Sequence, residues 1–387
     1  MTKRAGHRLP FERVALLLQG GGALGSYQAG VYQALAEGNV HPDWVAGISI
    51  GAINSALIAG NAPEQRVGKL RDFWETVSAP PLGAFGAAYN PFLKTLDDHT
   101  HRLLNQTRAF GIMMLGTPGF FTPRAPLMPF LPTTEAAEVS YYDVSALKTT
   151  LERLVNFDRI NAGEMHFGVG AVNVKTGNFI YFDNVTTKIR AEHIIASGAL
   201  PPGFPAVEID GEYYWDGGLV SNTPLQWMLD QRPRLDTLAL QIDLWSARGE
   251  MPRDVIEVDS RVKDIRYSSR TRAATDQYKR AQKLRLAVAE VLKHIPAKLR
   301  SSEEVKLLAS EADDKICNIV QLIYHTRSYE GIAKDFEFSR RTMLEHWDAG
   351  YGEAQRAMQH PEILRRPSRE QGVQTFDFSN PLKPSVE

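Results

Sequence analysis

Cysteine is nearly missing from this chain. Cys317 is the single one in 387 residues, which excludes an internal disulfide framework and fits a reducing compartment. An excess of one charge is missing too: 44 Lys and Arg face 45 Asp and Glu, a formal net charge of -1. Nothing global therefore invites nucleic acid, and an electrostatic partner has to be met by a local patch. Long apolar runs are scarce. No stretch reaches the roughly 18 uninterrupted apolar residues of a spanning helix, and the apolar run at 14–18, after the basic first residues, is too short for the core of a signal peptide. Internal repeats and low-complexity tracts are absent. The expectation is a cytoplasmic protein, with peripheral contact at the inner membrane surface left open.

What is present is enough apolar material for a sizeable core, 43% of residues, in one large or two medium domains. An apolar run at 14–18, a helical pattern at 26–36 and a second apolar run at 44–48 make a βαβ unit, with another helix following at 52–58. Strands alternating with helices predict a mostly parallel sheet covered on both faces, a three-layer α/β/α fold. From 78 to 140 the periodicity fails and Pro, Gly and aromatics crowd in, which predicts an insertion far longer than the usual roughly 2 to 6 residues. Further on come a helix in YYDVSALKTTLERLV, a hairpin turning at Lys175-Thr176-Gly177, a short helix at 193–197 and a buried strand at 237–244. Residues 1–250 are expected to form the catalytic domain. Residues 251–387 are expected to form a mostly helical extension packed on it, with a long helical stretch at 261–292, a short β run in CNIVQLIYH and a helix at 339–358.

Three short stretches carry chemistry. Gln19-Gly20-Gly21-Gly22-Ala23-Leu24-Gly25 lies between the first strand and helix, and its glycines fit a dinucleotide phosphate turn. Gly47-Ile48-Ser49-Ile50-Gly51 is G-x-S-x-G between strand and helix, the context of a nucleophile elbow, although a plain βα turn with a serine cap is a real competitor. Tyr214-Trp215-Asp216-Gly217-Gly218 sets an aspartate before two glycines, which alone reads as an ordinary Asx turn. The dinucleotide reading needs an acid about 20 residues past the glycines, at the end of the second strand. Gly47-Ile48-Ser49 stands there instead. Histidines offer no base: His193, His294, His325, His346 and His360 all read as surface or helix-packing residues. No Asp/His cluster has metal-ligand spacing, so no metal and no cofactor are expected.

In this order the three stretches resemble the patatin-like phospholipase family, and the flanking ASGALPPGFPAVEIDGEYYWDGGLVSNTPL is similar to that family's Asp-Gly-Gly region. The resemblance runs from Val14 to about Leu244, and beyond it the chain resembles the extension of one bacterial group. It implies a serine acyl hydrolase acting on carboxylic esters of lipids, with Ser49 as nucleophile and Asp216 as its partner in a histidine-free dyad. Gly20, Gly21, Gly22 and Ile50 would supply oxyanion-hole N–H groups, Gly47 and Gly51 the room for the elbow, and Gly217 and Gly218 the turn after Asp216. One letter departs: the family often has Arg or Lys where this chain has Leu24.

The physics sets a condition on that dyad. A free Asp, with a pKa of about 3.9, is a poor base for a hydroxyl, so Asp216 has to be desolvated and held against the serine. A thioesterase or storage-polyester hydrolase would use the same dyad, and a catalytically silent lipid- or nucleotide-binding protein is the alternative of another class. Met113, Met114, Leu115, Phe120, Phe121, Leu127, Met128 and Phe130 in the insertion read either as a core-packing loop or, the favoured expectation, as a lid or acyl-chain wall. Between Arg261 and Arg300 stand 12 Lys/Arg against 3 Asp/Glu. This reads most simply as a solvated helix face, and more sharply as a surface for anionic membrane.

Overall fold

A computed structural model describes residues 9–79, 98–126, 128–130, 132–133, 135–268, 271–327, 329–378 and 385–386. Leu127 and much of the first half of the insertion lie outside them. The first half of the chain forms β1 (Arg13–Leu18), α1 (Ser26–Glu37), β2 (Trp44–Gly47), α2 (Ile50–Ala59), α3 (Arg66–Val77), α4 (Asp98–Leu115), β3 (Thr122–Pro123), β4 (Tyr142–Asp143), α5 (Ser145–Leu154), α6 (Phe157–Asn161), β5 (His166–Asn173) and β6 (Phe179–Asp183). The second half adds α7 (Ala191–Ser197), β7 (Val207–Ile209), β8 (Glu212–Asp216), α8 (Leu225–Asp230), β9 (Thr237–Asp243), α9 (Val255–Tyr267), α10 (Thr271–Lys293), α11 (Glu303–Glu311), β10 (Cys317–Ile323), α12 (Arg340–Met358), β11 (Val373–Asp377) and β12 (Ser385–Val386).

Ten strands make one sheet in the order β12-β11-β10-β9-β1-β2-β5-β8-β7, with β6 also on β5. The run from β11 to β5 is parallel throughout, and antiparallel pairs lie at its two ends. Successive side chains on a strand point to opposite faces. Leu16 and Leu18 of β1 accordingly join the larger core under α1, α2, α3 and α12, while Ala15 and Leu17 meet Leu225, Met228, Ala239 and Ile319 on the other face. Helices on both faces of a mostly parallel sheet are the expected α/β architecture.

Two expectations need correction. The stretch 261–292 is not one helix: α9 begins at Val255, with the Asp254 side chain accepting the Glu257 N–H at 2.8 Å, and ends at Tyr267. There the Tyr267 carbonyl accepts from the side chains of Gln19 and Asn222 at 3.1 and 2.8 Å, so the helix end docks on the glycine turn. Nor is the region after 250 only a helical layer laid on a finished sheet. It contributes β10, β11 and β12, with β10 pairing directly along β9.

The extension is clasped to the first domain through α12. A Cβ on Gly30 would stand 1.9 Å from the Trp347 carbonyl oxygen, and one on Gly350 2.0 Å from that of Tyr27, so α1 and α12 approach at reciprocal glycines. Gly30→Ala should therefore lower stability by about 1 to 3 kcal/mol in urea unfolding, because backbone has to move. Gly68→Ala in α3, where a Cβ would meet nothing within 4 Å, should be neutral or stabilising. Equal effects of the two would contradict this packing.

Candidate active site

Strand β2, parallel to β5, and strand β8, antiparallel to it, deliver Ser49 and Asp216 to one level of the sheet. β5 lies between β2 and β8, pairing Gly47 with Val169 on one side and Asp216 with Ala171 on the other. Ser49 follows β2 at once, and Asp216 ends β8. Ser49 has φ 56° and ψ -122°, a left-handed conformation that a non-glycine residue adopts only when its surroundings impose it. Here they do. A Cβ on Gly47 would stand 2.1 Å from the Gly51 carbonyl oxygen, and one on Gly51 2.3 Å from that of Leu18. The Ser49 N–H donates to the carbonyl and hydroxyl oxygens of Ser197, both at 3.1 Å, and the Ser197 hydroxyl donates to the Gly170 carbonyl at 2.7 Å.

Asp216 is buried, and its Oδ1 accepts the Gly218 N–H at 2.7 Å. Burial pushes its carboxyl from the ordinary 3.8 to about 7, while hydrogen bonds from the Ser49 hydroxyl and the Gly218 N–H oppose the shift. A carboxylate that loses its proton near neutrality is a competent base for a hydroxyl.

The glycine turn faces the same space. A Cβ on Gly20 would come within 3.0 Å of the Ser49 Cβ. Its N–H, however, is given to Asn222, at 3.2 Å to Oδ1 and 3.4 Å to the carbonyl, so Gly20 has no free donor, contrary to expectation. Among the described residues the N–H groups of Gly21, Gly22 and Ile50 have no acceptor. Gly22, at φ 56°, packs so closely on Asp335 that a Cβ would stand 2.3 Å from its carbonyl oxygen. Gln19 accepts the N–H groups of Leu244 and Trp245 at 2.6 and 3.0 Å, and the Trp245 indole N–H donates to the Gly20 carbonyl at 2.8 Å. Leu24 is fully buried in the larger core, a place that suits its apolar side chain and would not suit a free cation.

Ser49, Asp216 and the three glycines line a cavity of about 330 Å³ that is otherwise mostly apolar and contains no histidine among the described residues. Phe120 and Phe121 form its wall, packed against Phe204, Tyr142 and Phe338 with ring centroids 4.9 to 6.2 Å apart. Met113 lines the mouth. Met114 does not join it: 59% exposed, it lies on the outer side of α4 with Leu103 and Phe110. Tyr267, Asp335, Phe336 and Phe338 also line the cavity, so the C-terminal extension supplies part of its wall. Ser197, Asn222 and Asp335 escaped sequence reasoning. Among the described residues no group of three or more His, Cys, Asp or Glu could hold a metal, and no helix is long and apolar enough to cross a membrane.

The family described as patatin-like phospholipase matches residues 16–228, and a second family, described as patatin phospholipase, matches residues 265–370. A stretch of 59 residues, 15% of this chain, is 48% identical to the lysophospholipase nte1 of Aspergillus terreus. That stretch is only 4% of the fungal protein's length. Among solved structures, VipD from Legionella pneumophila is similar over 91% of this chain and 67% of its own, at 15% identity and a TM-score of 0.38. The human GIVD cytosolic phospholipase A2 is similar over 60% of this chain and 42% of its own, at 14% identity and a TM-score of 0.33.

The Asp216 carboxyl has a consequence for stability. Because its folded value, about 7, lies above its ordinary 3.8, the stability tied to it is complete below about 4 and is lost as pH rises through 7. The full loss is on the order of 4 kcal/mol. Asp216→Asn keeps an acceptor for Gly218 without that loss, so its advantage in unfolding free energy over wild type should grow from pH 4 to pH 8. A difference independent of pH would contradict the burial argument.

Proposed function

The chain belongs to the patatin-like phospholipase family, and on that premise we propose that it is a serine acyl hydrolase of lipid esters working through a Ser49–Asp216 dyad. The observation that carries the reading is a serine in a left-handed elbow that shares an apolar cavity with a buried carboxylate, whose raised pKa the serine side chain partly opposes. Ionised Asp216 takes the Ser49 proton as Oγ attacks the ester carbonyl carbon. The N–H groups of Gly21, Gly22 and Ile50 hold the oxyanion, each such donor being worth roughly 2.7 to 4 kcal/mol. As the tetrahedral intermediate collapses, the C–O bond breaks and the proton on Asp216 passes to the leaving alcohol, which leaves an acyl-Ser49 ester. Water enters, gives its proton to Asp216 and attacks the acyl carbon. The acid departs as Ser49 recovers its proton. The residues do all of this without a metal or cofactor.

The cavity supports a substrate with an aliphatic acyl chain, since Phe120, Phe121 and Phe204 present rings where a chain would lie. Its mouth supports presentation of that substrate from a lipid aggregate. Met113 and Tyr141 line the mouth, and Phe110, Met114, Leu115 and Phe130 are large apolar residues left largely exposed on the same segments. This rim is better placed for contact with lipid than the basic stretch between Arg261 and Arg300. There, Lys263 is drawn inward onto Asp335 at 2.7 Å, and Arg261 is bound to the carbonyls of Ser246 and Ala247.

Acyl release from a panel of phospholipid, lysophospholipid, glyceride, thioester and polyester substrates tests the reading. Ser49→Ala and Asp216→Ala should each lower kcat by roughly 10³-fold or more on whichever ester is cleaved. Activity surviving in both would overturn the assignment. Phe110→Ser combined with Met114→Ser should reduce hydrolysis of vesicle-borne substrate while sparing a soluble short-chain ester; parallel loss of both would remove the rim from the account.

A further inference from the structure

The glycine turn that faces Ser49 is held from behind by residues of the C-terminal region, through both backbone groups of Ala23. The Ala23 N–H donates to the Asp335 carbonyl at 2.9 Å. The Ala23 carbonyl faces Nδ1 of His346 at 3.4 Å, as well as the Ser26 hydroxyl at 3.4 Å. On its other side, His346 Nε2 lies 2.8 Å from Oε1 of Glu330, which also accepts the Tyr324 hydroxyl at 2.6 Å, while Oε2 accepts the Arg327 N–H at 3.1 Å. His346 and Glu330 are both buried. Burial would raise the Glu330 carboxyl, but the charge and hydrogen bond of His346 and the Tyr324 hydroxyl hold it below its ordinary value. Glu330 is thus ionised, and each ring nitrogen of His346 faces an acceptor. A hydrogen on Nδ1 points toward the Ala23 carbonyl and one on Nε2 toward Glu330.

We propose that His346 is a positioning residue for the oxyanion-binding turn, with Glu330 and Tyr324 holding its ring in place. The proposal rests on the reading of Gly21 and Gly22 as oxyanion donors. Those donors lie one and two residues before Ala23, and Gly22 is fixed against the Asp335 carbonyl. The Gly22–Ala23 peptide is held through the Ala23 N–H, and the Ala23–Leu24 peptide has both groups engaged, its C=O by His346 and Ser26 and its N–H by the Gly21 carbonyl at 3.2 Å, so the preceding N–H groups keep the direction that an oxyanion needs. His346 sits on α12, and α12 is anchored to α1, the helix that follows the turn, at the reciprocal glycine contacts. The histidine therefore gains its geometry from the close packing of α12 on α1. It never touches substrate.

Two substitutions separate the halves of this role. His346→Asn keeps a donor near the Nδ1 position, toward Ala23, whereas His346→Gln keeps one near Nε2, toward Glu330. Activity on a soluble short-chain ester is measured per active site titrated with a fluorophosphonate, so that loss of folded protein does not count. His346→Gln should lower kcat by about 10- to 100-fold with KM little changed, and His346→Asn should restore most of it. Equal kcat losses in the two variants, or kcat per titrated site within about twofold of wild type in both, would overturn the proposal. If neither variant yields titratable enzyme, Tyr324→Phe, which removes only the hydroxyl bond to Glu330, should lower kcat by about 2- to 5-fold, and an unchanged kcat would overturn it. Failure of the underlying hydrolase reading looks different: Ser49→Ala would keep wild-type turnover.

Discussion

Burial of the Asp216 carboxyl is the constraint from which the rest of the site follows. In water an aspartate gives up its proton too readily to act as a base for a serine. Within the wall formed by β8, the elbow and the cavity its carboxyl is raised to about 7, where it can accept one. That placement opposes folding, because an ionised carboxylate is being kept from water. The surroundings return part of the loss through the Gly218 N–H and the Ser49 hydroxyl, and it is these two contacts that aim the carboxylate at the nucleophile. In the proposed dyad basicity and orientation therefore arise from the same few atoms, with no histidine called for between acid and serine.

The same economy of position governs the other half of the site. Backbone N–H groups can stabilise an oxyanion only if nothing else in the protein takes them and if they do not move. Gly20 fails the first condition because Asn222 takes its N–H, whereas Gly21 and Gly22 meet it. Rigidity comes from distant parts of the chain: Asn222 and Trp245 on Gly20, and the Asp335 carbonyl on Ala23. The strands and helices after residue 250 thus do more than extend the sheet. They bring Tyr267, Asp335 and Phe338 to the cavity and close the back of the glycine turn.

The parts of this arrangement that were legible in the sequence are those that only glycine or a local pattern can satisfy. QGGGALG, GISIG and WDGG stand out because close backbone approaches at Gly22, Gly47 and Gly51 exclude any Cβ. The alternating apolar strands near the start betray the parallel sheet for a similar reason. Ser197, Asn222 and His346 leave no such trace: each is a common polar residue whose role depends on a partner far along the chain, as with Asn222 and Gly20, 202 residues apart. Helix α4 was hidden by its own composition. It buries Ala109 and Ile112 on one side while exposing Leu103, Phe110 and Met114 on the other, so its apolar residues do not trace a single stripe. The Tyr267 end of α9 was missed because the partners that stop the helix, Gln19 and Asn222, lie in the first domain.

The central claim is that desolvated Asp216 is the base that activates Ser49. The pH dependence of the rate at which a fluorophosphonate labels Ser49 measures this most directly, since it reads the nucleophile with no lipid substrate, product release or deacylation involved. The account predicts a labelling rate that rises with pH through a midpoint near 7 in the wild type, and in Asp216→Asn a rate that is low and without that midpoint. A midpoint near 4 in the wild type, or the same profile in Asp216→Asn, would contradict it.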